Sequence, residues 1–151
     1  MDTDDIAVVL NNVDMFVGLS PRVLKRIASA GRVVQAPAGT EIVHAGEAVS
    51  GFRAFSPEGV EMHVILTGTA TVRVNGQVVR TLIADDYFGE LALIDGKPRS
   101  ADVVAGDSGL TTWALPKWEF DAVVKEHPEM LLPILQVVVA RLRRAEAAAA
   151  S

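Results

Sequence analysis

The pattern of apolar and polar positions changes twice along the chain and divides it into three parts. Up to residue 31 the spacing predicts two helices, over residues 4–11 and from Ser20, which can cap a helix, to Gly31, which can end one. From Arg32 to residue 115, short runs rich in Val, Ile and Thr are separated by Gly, Pro and Asn, which predicts β-strands. The remaining residues return to helical spacing.

The clearest β signal is a hairpin in the middle of the chain. Two alternating runs, residues 69–74 and 77–82, are separated only by Asn75-Gly76. This dipeptide favours the positive φ angles of a two-residue turn, so we expect the two strands to pair directly. Two further strands are predicted over residues 102–104 and 110–115.

After residue 116 the sequence predicts two helices with a junction at His127-Pro128. The second helix carries a wide apolar face, formed by Leu131, Leu135, Val138 and Leu142. We expect such a face to cover something, either the strands of its own chain or a second copy. The order of elements predicts an α+β protein, an antiparallel β-roll (jelly roll) with N-terminal and C-terminal helices flanking it.

Composition fits one domain, because 50% of the 151 residues are hydrophobic and can form a core. Its predicted parts are an N-terminal helical segment (1–31), the β-roll (32–115), and the C-terminal helices with a tail (116–151). The net charge of −5 argues against direct nucleic-acid binding. The longest apolar stretch, residues 130–140, falls short of the roughly 20 residues of a membrane span. No secretory signal pattern is evident, which favours the cytoplasm.

Residues 88–101 concentrate the groups that hold a small phosphorylated ligand. Gly89 lets the backbone approach a ligand closely, and residues 90–94 can form a short helix whose first N–H groups suit a phosphate. Arg99 can donate two parallel hydrogen bonds to phosphate oxygens. Glu90, an acceptor when ionised, suits a sugar hydroxyl. A phosphate and a ribose hydroxyl bound by one loop indicate a nucleotide.

This segment resembles the phosphate-binding cassette of the cyclic-nucleotide-binding domain family, through F-G-E-L-A-L at residues 88–93 and P-R-S-A at residues 98–101. The family includes the bacterial catabolite activator, kinase regulatory subunits and nucleotide-gated channels. The resemblance implies that Glu90 binds the ribose 2′-hydroxyl, Arg99 the cyclic phosphate, and Ser100 the phosphate or the purine. The ligand-binding residues expected in the cassette are Phe88, Gly89, Glu90, Leu91, Ala92, Arg99, Ser100 and Ala101.

The last helix is expected to act as a movable lid over the purine, because a β-roll that grips sugar and phosphate leaves the base exposed. Arg141, Leu142 and Arg143 are the candidates to touch the base, and the choice among the three stays open. The resemblance covers roughly residues 13–144. The chain departs from the family pattern between Gly46 and Gly68, where residues 49–60 are predicted as an extended loop.

Catalysis and metal binding have no support in the sequence. The three histidines, His44, His63 and His127, lack the spacing of paired metal ligands, and no nucleophile motif brings Ser, His and Asp together. There is no cysteine for a thiolate site. A metal-dependent enzyme built on a β-roll is therefore disfavoured.

We predict a non-enzymatic cyclic-nucleotide sensor whose occupancy moves its C-terminal helix, and through it a second copy or an effector domain. Cyclic AMP is the expected ligand, because the resemblance is to bacterial members that mostly use it, with cyclic GMP as the alternative. Two rivals stay open. The chain is a structural or dimerisation domain that binds no nucleotide, or it is the sensing fragment of a larger channel, kinase or transcription regulator.

Overall fold

The computed structural model describes residues 1–43, 60–97 and 101–150. The chain divides into two compact units. One is Ala30–Phe120, which contains the described strands, and the other combines Met1–Ser29 with Asp121–Ser151. The predicted α+β class, with an antiparallel sheet and flanking helices, is confirmed.

The described helices begin and end close to the predicted positions. Gly31 follows the second helix directly, and Ser20 accepts a hydrogen bond from the Val23 backbone N–H at its start, as a helix cap does. The α-helices are α1 Thr3–Leu10, α2 Pro21–Ala30, α3 Glu90–Asp95, α4 Lys117–Glu126 and α5 Leu131–Ala150, with short 3-10 helices at Asp14–Phe16 and Pro128–Met130.

Two long strands form the centre of the sheet. The strands are β1 Arg32–Ala36, β2 Glu41–Val43, β3 Glu61–Val74, β4 Gln77–Leu82, β5 Tyr87–Phe88 and β6 Asp102–Pro116. Strands β3 and β6 pair antiparallel along their length, β1 and β2 pair with β6, and β4 and β5 pair with β3. The hairpin predicted at Asn75-Gly76 is confirmed, with both residues at positive φ.

Strand β6 is one continuous element where the sequence predicted two separate strands. The predicted break falls on residues 105–109, which contain two glycines. The pairing with β3 shifts register there, between Gly68 and Ala70. The irregularity is therefore a bulge within a long strand, because the partner strand continues past it.

The strands enclose an apolar core. Phe88 at the end of β5 belongs to this core and is almost fully buried. Its other members are Val34, Ala36, Ile42, Ile65, Ala70, Leu82, Val103, Ala105, Leu110 and Ala114. The core therefore reaches the first residue of the predicted cassette.

In the helical unit, α2 and α4 are joined by a two-bond ion pair between Arg26 and Glu126. The hydrogen bonds from Arg26 lower the pKa of the Glu126 carboxyl.

Helix α5 continues through Ala150, so most of the predicted tail is helical. Its buried residue is Ile134, whereas Leu131, Leu135 and Leu142 stay about half exposed. Within the described part of the chain, three of the four residues of the predicted apolar face therefore remain about half exposed.

Candidate functional site

The predicted cassette begins where β5 ends. Gly89 adopts a left-handed conformation, with φ of 84° and ψ of 7°, and forms the N-cap of α3. A residue with a side chain adopts this conformation only at a cost, which explains why glycine stands here. The short helix predicted over residues 90–94 is confirmed as α3.

Helix α3 is anchored on one side and open on the other. Ala92 and Leu93 are buried, whereas Leu91 is about half exposed and Glu90 is partly exposed. Glu90 occupies the first position of the helix, where the helix dipole favours a negative charge. Of the predicted ligand-binding residues in this helix, Glu90 and Leu91 therefore have accessible side chains, and the Ala92 side chain is buried.

The C-terminal end of α3 is held by a residue that the sequence did not single out. The Lys117 ammonium donates a hydrogen bond of 2.8 Å to the carbonyl oxygen of Leu93. A cation at this end of a helix satisfies free carbonyls and complements the dipole. The sequence does not predict this contact, because Lys117 and Leu93 are 24 residues apart.

Two of the predicted phosphate-binding residues lie outside the described residues. These are Arg99 and Ser100, while Ala101 is described and immediately precedes β6. The predicted extended loop also lies outside the described part, except for Val60. The Val60 carbonyl accepts a hydrogen bond of 2.9 Å from the backbone N–H of Lys117.

The three candidate base contacts lie on α5 and differ in their surroundings. The Arg141 guanidinium forms two hydrogen bonds with the Asp14 carboxylate, Nε to Oδ2 at 3.1 Å and Nη2 to Oδ1 at 2.5 Å. Leu142 and Arg143 are exposed. Arg141 is thus held by the first 3-10 helix of the same unit, across 127 residues of sequence.

Within the described ranges, no group of three or more His, Asp or Glu side chains is arranged to hold a metal ion. Among the helices that the structure describes, none combines the length and the apolar character needed to cross a bilayer.

A protein-family model described as the cyclic nucleotide-binding domain matches residues 33–127. Among curated relatives, the cGMP-dependent protein kinase of Toxoplasma gondii is 28% identical over 125 residues. That alignment covers 83% of this chain and 12% of the kinase, so the chain spans only a small part of this relative.

Solved structures with the same fold include regulatory and transcriptional proteins. The regulatory domain of Toxoplasma gondii PKA, crystallised with cAMP, has a TM-score of 0.69 at 22% identity and covers 94% of this chain and 50% of that one. The N-terminal domain of a transcriptional regulator from Streptomyces coelicolor A3(2) has a TM-score of 0.76 at 20% identity. That match covers 93% of this chain and 96% of the other.

Proposed function

We propose that this chain, which belongs to the cyclic nucleotide-binding domain family, is a sensor module that binds cyclic AMP at residues 88–101. Domains of this family are binding modules rather than catalysts. The observation that carries the proposal is the geometry at Gly89, where a left-handed residue without a side chain opens α3 directly after the core-anchored Phe88. Glycine at this position lets a phosphate approach the backbone closely, which a side chain would hinder.

The roles of individual residues follow from their chemistry. Glu90 is partly exposed at the start of α3, where its carboxylate can accept a hydrogen bond from a ribose hydroxyl. We assign the cyclic phosphate to Arg99, since a guanidinium donates two parallel hydrogen bonds to such an anion. Ser100 adds a hydroxyl beside it. Leu91 lies about half exposed next to Glu90, available for apolar contact with the ligand.

Direct calorimetric titration tests the proposal, and we expect cyclic AMP to bind more tightly than cyclic GMP. The named relatives include proteins described with cGMP and with cAMP, so the comparison of the two nucleotides is needed to decide the purine. Adenosine 5′-monophosphate is the control, because it has the same base and sugar but an acyclic phosphate. Folded protein that takes up none of these ligands would instead favour the rival, a structural or dimerisation domain of the same fold.

We further propose that occupancy changes the position of α5. A ligand shifts a conformational equilibrium only through different affinities for its two states. The Asp14–Arg141 ion pair supplies a contact that can differ between such states, because it holds α5 to the first 3-10 helix when Arg141 is engaged. The partner of the exposed leucine face of α5, a second copy or an effector domain, stays a prediction.

If Arg141 is the base contact, Asp14 competes with the nucleotide for its guanidinium. Asp14→Asn should then slow release of cyclic AMP by a few-fold, the scale of a partly exposed ion pair at about 0.2–1 kcal/mol. Arg141→Ala should accelerate release, because lost contacts in a formed complex act mainly on the off-rate. Stopped-flow measurement of both rates checks this, with Arg144→Ala, an exposed arginine of the same helix, as the matched control. Unchanged off-rates in both variants would remove Arg141 from the base-contact candidates.

A further inference from the structure

A buried histidine lies directly against the first residue of the cassette. His63 on β3 is 1% exposed, and Phe88 on β5 is its direct cross-strand partner. Side chains of directly opposed residues in antiparallel strands share one face of the sheet. The two rings stack with their centroids 4.9 Å apart and their planes inclined by 16°. Such aromatic contacts are directional, so the orientation of one ring restricts the other.

The orientation of the His63 ring is fixed by polar groups on neighbouring strands. Its Nδ1 lies 3.1 Å from the Thr112 hydroxyl on β6, and its Nε2 lies 3.9 Å from the Glu61 carboxylate. Glu61 is fully buried, and the Arg32 guanidinium on β1 donates a hydrogen bond of 3.1 Å to it. Because unpaired buried polar groups are costly, these contacts restrict the ring to one orientation.

Strand β5 is the shortest of the described strands. It contains two residues, and the described pairing with β3 consists of His63 with Phe88 and Val64 with Tyr87. The left-handed turn at Gly89 follows Phe88 immediately. A displacement of the Phe88 ring therefore displaces the backbone at which the cassette helix begins.

We propose that His63 is a positioning residue of the nucleotide site, which acts through its stack on Phe88 to place Gly89 and the start of α3. The expected effect of His63 on ligand affinity rests on the proposed function. Its effect on the position of Gly89 and α3 can be measured without a ligand. The flat ring is the property that matters for the stack, and the polar contacts to Thr112 and Glu61 hold that ring in place.

Two substitutions of His63 separate the flat ring from general packing. His63→Leu introduces an apolar side chain of similar size without a ring, and we expect it to raise the dissociation constant for cyclic AMP by about tenfold. His63→Phe restores a ring over Phe88 but not its polar contacts with Thr112 and Glu61, so it should recover part of the affinity lost in His63→Leu.

Val64→Ala is the matched control for a loosened strand. Val64 is fully buried in the same two-residue pairing, but its side chain points to the opposite face of β3. We expect Val64→Ala to lower the free energy of unfolding without changing the dissociation constant more than a few-fold. An equal loss of affinity in Val64→Ala and His63→Leu would overturn the proposal.

Hydrogen exchange in the ligand-free protein tests the positioning role directly. The amides of residues 89–94 should exchange about tenfold faster in His63→Leu than in the original protein, and no faster in Val64→Ala. If His63→Leu fails to fold, Thr112→Val tests the proposal, because it removes only the hydrogen bond to the His63 ring. We expect it to accelerate exchange of the amides of residues 89–94 as well. Unchanged exchange in the folded variant refutes the proposal. Failure of the unsubstituted protein to bind either cyclic nucleotide refutes the proposed function instead and leaves the exchange result standing.

Discussion

Replacing Arg99 by alanine should weaken binding of cyclic AMP by roughly 2–5 kcal/mol, the cost of removing one partner from a hydrogen-bonded charge pair that is shielded from water. The cyclic phosphate carries the ligand's negative charge, and a guanidinium meets it with two parallel hydrogen bonds. Without Arg99, the proposed phosphate contacts are reduced to the backbone N–H groups near the start of α3 and the Ser100 hydroxyl. Titration calorimetry on the folded variant measures the loss, and Glu90→Ala should cost less because its partner, a hydroxyl, is neutral.

Lys97→Ala is the matched control for this prediction. Lys97 is an exposed cation two positions before Arg99, and its backbone N–H donates a hydrogen bond of 2.9 Å to the Asp95 carboxylate. The substitution leaves that backbone bond in place and removes one positive charge from the same segment. If long-range attraction were the source of affinity, Lys97→Ala and Arg99→Ala would weaken binding similarly. A folded Arg99→Ala variant with unchanged affinity would contradict the assignment of this cassette.

The elements that could be predicted from the sequence are those with local causes. The turn at Asn75-Gly76 and the helix that opens after Gly89 both depend on backbone angles that a few residue types favour. Such signals require no knowledge of the remaining chain. The family resemblance of the cassette is equally local, because its residues lie within one short segment.

Contacts between distant residues explain what the sequence could not predict. The ion pair of Arg141 with Asp14 joins positions 127 residues apart, and neither residue type is unusual on a helix surface. The sequence indicates no metal site at His63 but does not predict its stack on Phe88, because that stack depends on the register between β3 and β5. A residue's neighbours across a sheet follow from strand pairing, and a one-residue slip would change all of them.

The bulge between β3 and β6 is another contact between distant residues that the sequence does not predict. The sequence predicted an interruption over residues 105–109, which include two glycines, and the structure instead continues β6 past them. The continuation of β6 depends on Gly68 of the partner strand β3. Gly68 and Gly109 both have positive φ, 86° and 80°, and they face each other where the register shifts. Their closeness is a property of the pair of strands, so neither position predicts it alone.

Replacing Gly68 by alanine should therefore lower the free energy of unfolding by about 3 kcal/mol or more, from backbone strain together with overpacking. A Cβ atom at this position would overlap the carbonyl oxygen of Gly109 and lie 3.1 Å from the Leu110 Cα. These are backbone atoms of β6, which cannot turn away as a flexible side chain could. Urea denaturation followed by circular dichroism measures the change through the transition midpoint.

Gly76→Ala separates the two causes, because Gly76 also has positive φ, 77°, but a Cβ there would meet nothing within 4 Å. This variant retains the strain and lacks the overlap, so we expect a loss of about 1–2 kcal/mol. The difference between the two variants then measures how closely β3 and β6 approach at the bulge. Equal losses in Gly68→Ala and Gly76→Ala would mean that the strands separate there at no cost. In that case the paired glycines would not be what holds β3 and β6 together through the register shift.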